Sequence, residues 1–337
     1  MVDSLARRSA WLARQQSLLP IILVCGLVCG VISPAFAEET APPIRIDTIV
    51  VNVFDAHGSA IRDLTTENFH VSLNGKPVAV LHAQYGVAPR RIVVLLDLSG
   101  SMHAEDDAKW QIAKEAAGDL LTEISAEVPI AMLGFAGTIH DEFDFSQSRK
   151  AMAQWLDGLD RRPSMHPAPT ALFDAILKGL KLFGTVQPGD AIYAITDGGE
   201  NASLASEKQM KAALLHSRVR LFAFLLAEPL LSDEREQKDL FLSLVNDSGG
   251  FPFGVAGRES PSLPSWEGRF FYDNDSRHRA IVSARALNLL VNGFWTLQLA
   301  LPSFLPKKSK LKLEIVEAGG KERDDLEVAC PRLPPTK

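Results

Sequence analysis

Asp97, Ser99 and Ser101 place one carboxylate and two hydroxyls within five residues, directly after the apolar run Ile92–Leu96. Oxygen donors with no His or Cys among them suit a small, hard divalent cation such as Mg²⁺ better than zinc. Two more oxygen-bearing residues stand at similar junctions. Thr170 precedes the helical pattern of Leu172, Phe173, Ile176, Leu180 and Phe183, and Asp197 follows the apolar run Ala191–Ile195. Together the five residues offer two carboxylates and three hydroxyls. Mg²⁺ takes about six oxygens and tolerates water among them. Two carboxylates roughly balance its charge and leave it electrophilic toward one further anionic oxygen. Mn²⁺ is served by the same donors.

Such donors converge only if the elements beneath them bring them to one place. Continuous apolar runs that end in a polar turn read as strands covered on both faces. From Arg91 onward strand and helix patterns alternate. Strands at 92–96, 129–135, 191–195 and 219–226 are separated by helical spacing at 113–124, 148–159, 172–183 and 206–217, and a helix at 233–246 and a short strand near 251–255 follow. This alternation predicts an α/β fold with a doubly wound, mostly parallel sheet. Ala136-Gly137 leaves room only for a tight turn before Thr138–Phe143, so that strand is expected as an antiparallel edge. Crossover topology gathers the carboxyl ends of parallel strands on one rim, where the three polar clusters can meet.

The flanks read differently. Residues 44–53, 69–73 and 76–81 alternate as strands, with Asn74-Gly75 between the last two as a hairpin turn. Trp295–Ala300 and Lys310–Val316 return to strand patterning after a helix at 278–291. Neither flank has enough strands to stand alone, so 44–88 and 292–330 are expected to pair into one small, sandwich-like β module. The expected domain is 90–256, with 257–291 a loop and closing helix.

Residues 1–37 carry Arg7, Arg8 and Arg14, then an apolar core Pro20–Ile32, then Pro34-Ala35-Phe36-Ala37. This is the pattern of a cleaved export signal, which implies a periplasmic or secreted protein, or an N-terminal anchor if uncleaved. The apolar core is too short for a comfortable span, so no stable membrane span is expected after cleavage. Cleavage removes three Arg and one Asp and takes the formal charge from −6 to −8, which disfavours nucleic acid and anionic membrane as partners. Cys25 and Cys29 leave with the signal, and Cys330 then has no intrachain partner for a disulfide.

The set Asp97-x-Ser99-x-Ser101, Thr170 and Thr196-Asp197-Gly198 resembles the metal-ion-dependent adhesion site of von Willebrand factor type A domains. The resemblance covers about residues 90–255, and the layout of 44–320 is similar to bacterial secreted proteins with this domain between β segments. It implies that Ser99, Ser101 and Thr170 bind the ion directly, with Asp97 and Asp197 partly through water. It also implies a protein partner whose Asp or Glu carboxylate completes the shell, and a binding role rather than an enzymatic one.

Other readings find less in the chain. A serine hydrolase would need Ser99 or Ser101 beside a base such as His103 or His140, and no Gly-x-Ser-x-Gly elbow is present. A phosphoryl-transfer hydrolase with Asp97 as nucleophile lacks a phosphate loop and a Lys beside the motif. No Gly-x-Gly-x-x-Gly follows a strand, which excludes the dinucleotide-binding fingerprint. A non-catalytic envelope scaffold with a purely structural metal site is the main alternative. His103 with Asp106 and Asp107 reads as a helix start, and His140-Asp141-Glu142 as a charged edge. Asn201, Asn246 and Asn274 each open a glycosylation sequon, which has meaning only in a eukaryotic secretory setting.

Overall fold

The structure is a computed structural model that describes residues 43–55, 59–86, 90–103, 108–160, 168–226, 232–253, 276–306 and 309–332. These belong to one compact unit, residues 42–337. The export segment 1–37, Asp106 and Asp107, and the Asn274 sequon lie outside the described residues. Among the described residues no helix is long and apolar enough to cross a membrane.

Two six-stranded sheets organise the chain. The first is built from β4 (Ile92–Asp97), β5 (Ile130–Phe135), β6 (Ile139–Phe143), β7 (Ala191–Thr196), β8 (Arg220–Leu225) and β9 (Pro252–Phe253). Every residue of β4, β5, β7 and β8 is buried, as strands without polar alternation must be. Helices α1 (Ala108–Glu123), α2 (Arg149–Leu159) and α6 (Ser276–Asn292) cover one face. Helices α3 (Leu172–Leu182), α4 (Glu207–Ser217) and α5 (Ser232–Ser248) cover the other. All pairs are parallel except β5–β6, where the short turn at Ala136-Gly137 reverses the chain.

The strand order is β6-β5-β4-β7-β8-β9. From β4 the chain winds outward on one side, then returns to place β7 on the other. The crossovers that leave β4 and β7 therefore depart to opposite sides, which opens a crevice between the carboxyl ends of these two strands. Asp97 closes β4 and Thr196 closes β7, so both residues stand at this switch point.

The second sheet is antiparallel, in the order β11-β2-β3-β10-β1-β12. It comprises β1 (Ile44–Asp55), β2 (Phe69–Leu73), β3 (Lys76–Tyr85), β10 (Trp295–Pro302), β11 (Leu311–Ile315) and β12 (Leu326–Ala329). The two flanks do not face each other as the layers of a sandwich. β10 inserts between β1 and β3, so the segments interleave in one sheet. That sheet curls into a near-barrel around its own core. Its edges meet where Leu311 N donates to Arg332 O at 3.0 Å and Arg323 N to Ile315 O at 2.8 Å. Asn74 and Gly75 adopt φ of 51° and 77°, the left-handed pair that the tight β2–β3 hairpin requires.

Asn52 joins the sheets. Its Nδ2 donates to Leu290 O at 2.9 Å and Gly293 O at 2.7 Å, and its Oδ1 accepts from Arg220 Nη1 at 2.7 Å. The Arg220 guanidinium is buried between the Phe222 and Phe294 rings, and burial pushes its pKa down to about 9. Replacing Asn52 by Leu strands Gly293 O and leaves the buried Arg220 Nη1 only its 3.4 Å contact with Leu290 O. Denaturant unfolding of residues 42–337 is expected to show a loss of about 3 kcal/mol.

Candidate functional site

The turn after β4 is shaped by its own carboxylate. Ser99 N donates to Asp97 Oδ1 at 2.9 Å, which bends the chain back toward the strand end. Leu98 N donates to Phe135 O at 2.7 Å and keeps the turn in register with β5. A short 3₁₀ turn, Gly100–His103, follows. Asp97 and Ser99 are fully buried, while Ser101 is exposed with its Oγ 3.2 Å from Ser99 Oγ. The two hydroxyls thus form a step from the interior to the surface.

Thr170 is carried to this turn by backbone ties. Gly100 N donates to Ala168 O at 2.9 Å, and Ala171 N donates to Ala136 O at 2.8 Å. Thr170 N donates to Asn201 Oδ1 at 2.8 Å, and Thr170 O accepts from Asn201 N and Ala202 N, each at 3.0 Å. The segment before α3 and the loop after β7 are therefore laced together. A Cβ on Gly199 would lie 3.3 Å from Asp197 Oδ1, tight enough to press on it, and in ordinary contact with Thr170 Oγ1 at 3.7 Å.

Two acids hold that loop. Glu200 accepts from Phe173 N, Ala202 N, Ser203 N and Ser203 Oγ at 2.7–3.1 Å. Asp174 accepts from Leu204 N at 2.8 Å and Ala205 N at 3.0 Å, while Asp174 N donates to Ser203 Oγ at 3.1 Å. Phe173 N and Asp174 N are first-turn amides of α3 with no partner inside the helix. The loop caps the helix, and the helix fixes the loop.

Electrostatics at the rim are unbalanced. Thr196 Oγ1 donates to Asp97 Oδ2 at 2.6 Å and itself accepts from Gly198 N at 3.0 Å. Gly198 takes φ of 85°, which turns the chain out of β7. Burial, and then repulsion from the Asp197 carboxylate, raise the Asp97 carboxyl to about 7 despite the Ser99 and Thr196 hydrogen bonds. A divalent cation cancels both penalties, so the donor chemistry fits one. No three His, Cys, Asp or Glu side chains cluster among the described residues, so an ion at this rim needs the hydroxyls.

The structure thus brings Asp97, Ser99, Ser101, Thr170 and Asp197 to one rim. Thr196, read from sequence only as part of the Thr196-Asp197-Gly198 motif, and Asn201, read only as a sequon, act beside them with Glu200 and Asp174, which were not singled out from sequence. Their signal was faint: polar residues in the loop after a buried strand and one acid in a first helical turn. Asn201, read as the start of a sequon, spends its side chain on Thr170. The other polar features lie elsewhere. The His103 ring packs 4.9 Å from Trp110, Glu142 on β6 pairs with Lys178 at 2.7 Å, and burial pushes the Cys330 thiol up to about 11.

Residues 92–200 match the von Willebrand factor type A domain family. Over these residues, about a third of the chain, this protein is similar to a type A domain. Domains of this family are generally non-catalytic interaction modules, and many bind a divalent metal. No curated protein matches this chain. Among solved structures, an aerotolerance-related membrane protein from Bacteroides fragilis NCTC 9343 aligns over 60% of this chain and 98% of its own, at 17% identity and a TM-score of 0.42. The conserved hypothetical protein BatB from Bacteroides thetaiotaomicron aligns over 59% and 98%, at 18% identity and a TM-score of 0.37. The vWF domain of the type V pili tip protein Mfa5 from Porphyromonas gingivalis aligns over 33% and 38%, at 16% identity and a TM-score of 0.28. At these scores the likenesses carry no weight for function.

The bracing of the rim is open to test. Replacing Asp174 by Ala removes two acceptors that hold the loop after β7. Hydrogen exchange at Leu204 and Ala205 is expected to quicken about tenfold while β4 and β7 amides keep their protection.

Proposed function

We propose that this protein is a non-catalytic, extracytoplasmic binding module that takes a protein partner's Asp or Glu side chain at a metal centre between β4 and β7. The observation that carries this is the gathering of two carboxylates and three hydroxyls at the switch point, with one carboxylate fully buried beside the other. Ser99, Ser101 and Thr170 would hold Mg²⁺ or Mn²⁺ directly, and Asp97 and Asp197 partly through water. The ion supplies an electrophilic position that an acidic side chain can fill. The loops braced by Glu200 and Asp174 surround that position and select among partners. In this reading residues 90–256 form the binding domain, 257–291 close it, and the leader 1–37 exports the chain.

Asp97 supports the reading because its burial is costly without a cation. A buried carboxylate with a like charge beside it destabilises the fold until a proton or a cation offsets its charge. Thermal unfolding of residues 42–337 is expected to rise on going from EDTA to millimolar Mg²⁺ or Mn²⁺. Ion at about a hundred times its Kd adds about 2.7 kcal/mol. Ser99→Ala should remove the rise. Asp97→Asn should also remove it, yet unfold in EDTA no earlier than wild type, because it relieves the repulsion. A wild-type chain indifferent to both ions would sink the metal centre and favour the scaffold reading.

A further inference from the structure

A cleft separates the start of β1 from the corner where α4 leads into β8, at the opposite end of β8 from the rim. β1 has a bare edge there. Ser303 N donates to Pro43 O at 2.7 Å, so Pro43 and every second residue after it turn their backbone groups toward β10. Ile44, Ile46 and Thr48 turn theirs the other way. β12 lines that side only from Asn52 to Asp55. Among the described residues, no backbone group pairs with the N–H and C=O of Ile46 and Thr48 on that side.

Arg218 stands beside this edge. It ends α4 in the left-handed conformation, at φ of 62°, where glycine is the usual residue and a side chain is strained. Strain held at a surface corner by a long cation points to a use for that cation. Its side chain is 45% exposed and gives one N–H to buried Asp47, which also pairs with Arg45 Nε at 2.7 Å. One carboxylate is thus divided between two guanidiniums. The other N–H groups of Arg218 make no hydrogen bond among the described residues. Arg45, Ile46, His216 and Arg218 line an open groove of about 470 Å³. Val186, Ser217 and Arg218 border both this groove and a deeper cavity of about 120 Å³, walled by Ile49, Val50, Leu214, Leu215 and Val219. That is a little less than the roughly 150 Å³ that admits benzene, and it suits one branched aliphatic side chain.

Three features of one cleft call for three groups in one ligand. A bare strand edge pairs with an extended backbone, a forked cation takes a carboxylate in parallel hydrogen bonds, and a small apolar cavity takes an aliphatic side chain. The last residue of a polypeptide carries all three around one α-carbon. The chain's negative charge is screened beyond about 10 Å, so the guanidinium governs the contact. We infer that this cleft binds the free carboxyl end of an extended peptide whose last residue is Val, Leu or Ile. Its backbone pairs with β1 at Ile46, its carboxylate meets Arg218, and its last side chain enters the cavity.

The described fold lies within 42–337 and has its own cores, so that fragment folds without the leader. The probe is an array of hexapeptides randomised over their last three positions, made with free carboxyl ends and again as carboxamides. Binding is read in EDTA, so a metal ion at the rim plays no part. Wild type should retain free-carboxyl peptides ending in Val, Leu or Ile and hold their carboxamides about tenfold more weakly. Arg218→Gly should keep the fold, because Asp47 retains Arg45 and the strained φ is relieved, yet bind both forms equally weakly. Ile46→Pro removes the N–H at the bare edge, leaves the β1–β10 bonds, and should bind neither form. Leu289→Ser, at an exposed position on α6, should bind as wild type does. A wild type that retains no free-carboxyl peptide, or that holds the carboxamides as well, would overturn the inference. So would Arg218→Gly with its preference intact. A wild-type dimer that Ile46→Pro dissociates would overturn it too, by giving the edge to a second copy.

Discussion

A single carboxylate driven into the interior sets the terms for the rest of the rim. Asp97 ends a strand with no exposed residue, so its charge cannot be solvated where it stands. Hydrogen bonds from Ser99 N and Thr196 Oγ1 recover part of that loss. Repulsion from Asp197 adds to it. Chains relieve such a penalty by moving the acid outward unless its position is useful. Here the parallel pairing of β4 with β7 holds Thr196 beside Asp97 and leaves no such route.

The rim combines fixed donors with an exposed margin. Glu200 and Asp174 tie the loop after β7 to the first turn of α3, while Ser101 and Leu204 remain in solvent. Rigid donors present a preformed site, and exposed margins meet a partner without disturbing it. The Asn52–Arg220 junction lies elsewhere. Arg220 opens β8 at its amino end, and the rim uses the carboxyl ends of β4 and β7. Six strand residues span about 20 Å, so the β module can steady the domain without touching the rim.

Much of this was legible from residue order. Unbroken apolar runs announced the parallel strands, Ala136-Gly137 announced the reversed edge, and Asn74-Gly75 announced the hairpin. The short strand β12, Leu326–Ala329, carried no usable alternation and gains its order from pairing with Asn52–Asp55. The two flanks pair into one β module as expected, but as an interleaved near-barrel rather than a sandwich, because pairing order within an antiparallel sheet depends on which distant strands meet. No local pattern told that β10 would insert between β1 and β3.

By itself the sequence determined the donor types, their places at strand and helix ends, and the alternation that had to bring strand ends to one rim. These are local properties, set by side-chain chemistry and hydrophobic period. Only the tertiary structure decided that Thr196 would hold Asp97, that Asn201 would hold Thr170, and that Glu200 and Asp174 would cap α3. Only it left Ile44 and Ile46 exposed on β1, opposite Pro302 and Ala300 of β10. The Asp97–Thr196 contact spans 99 positions, and the join between β1 and β10 spans far more. Contacts of that range are chosen by the packing of the whole chain, because each becomes favourable only after the others have formed.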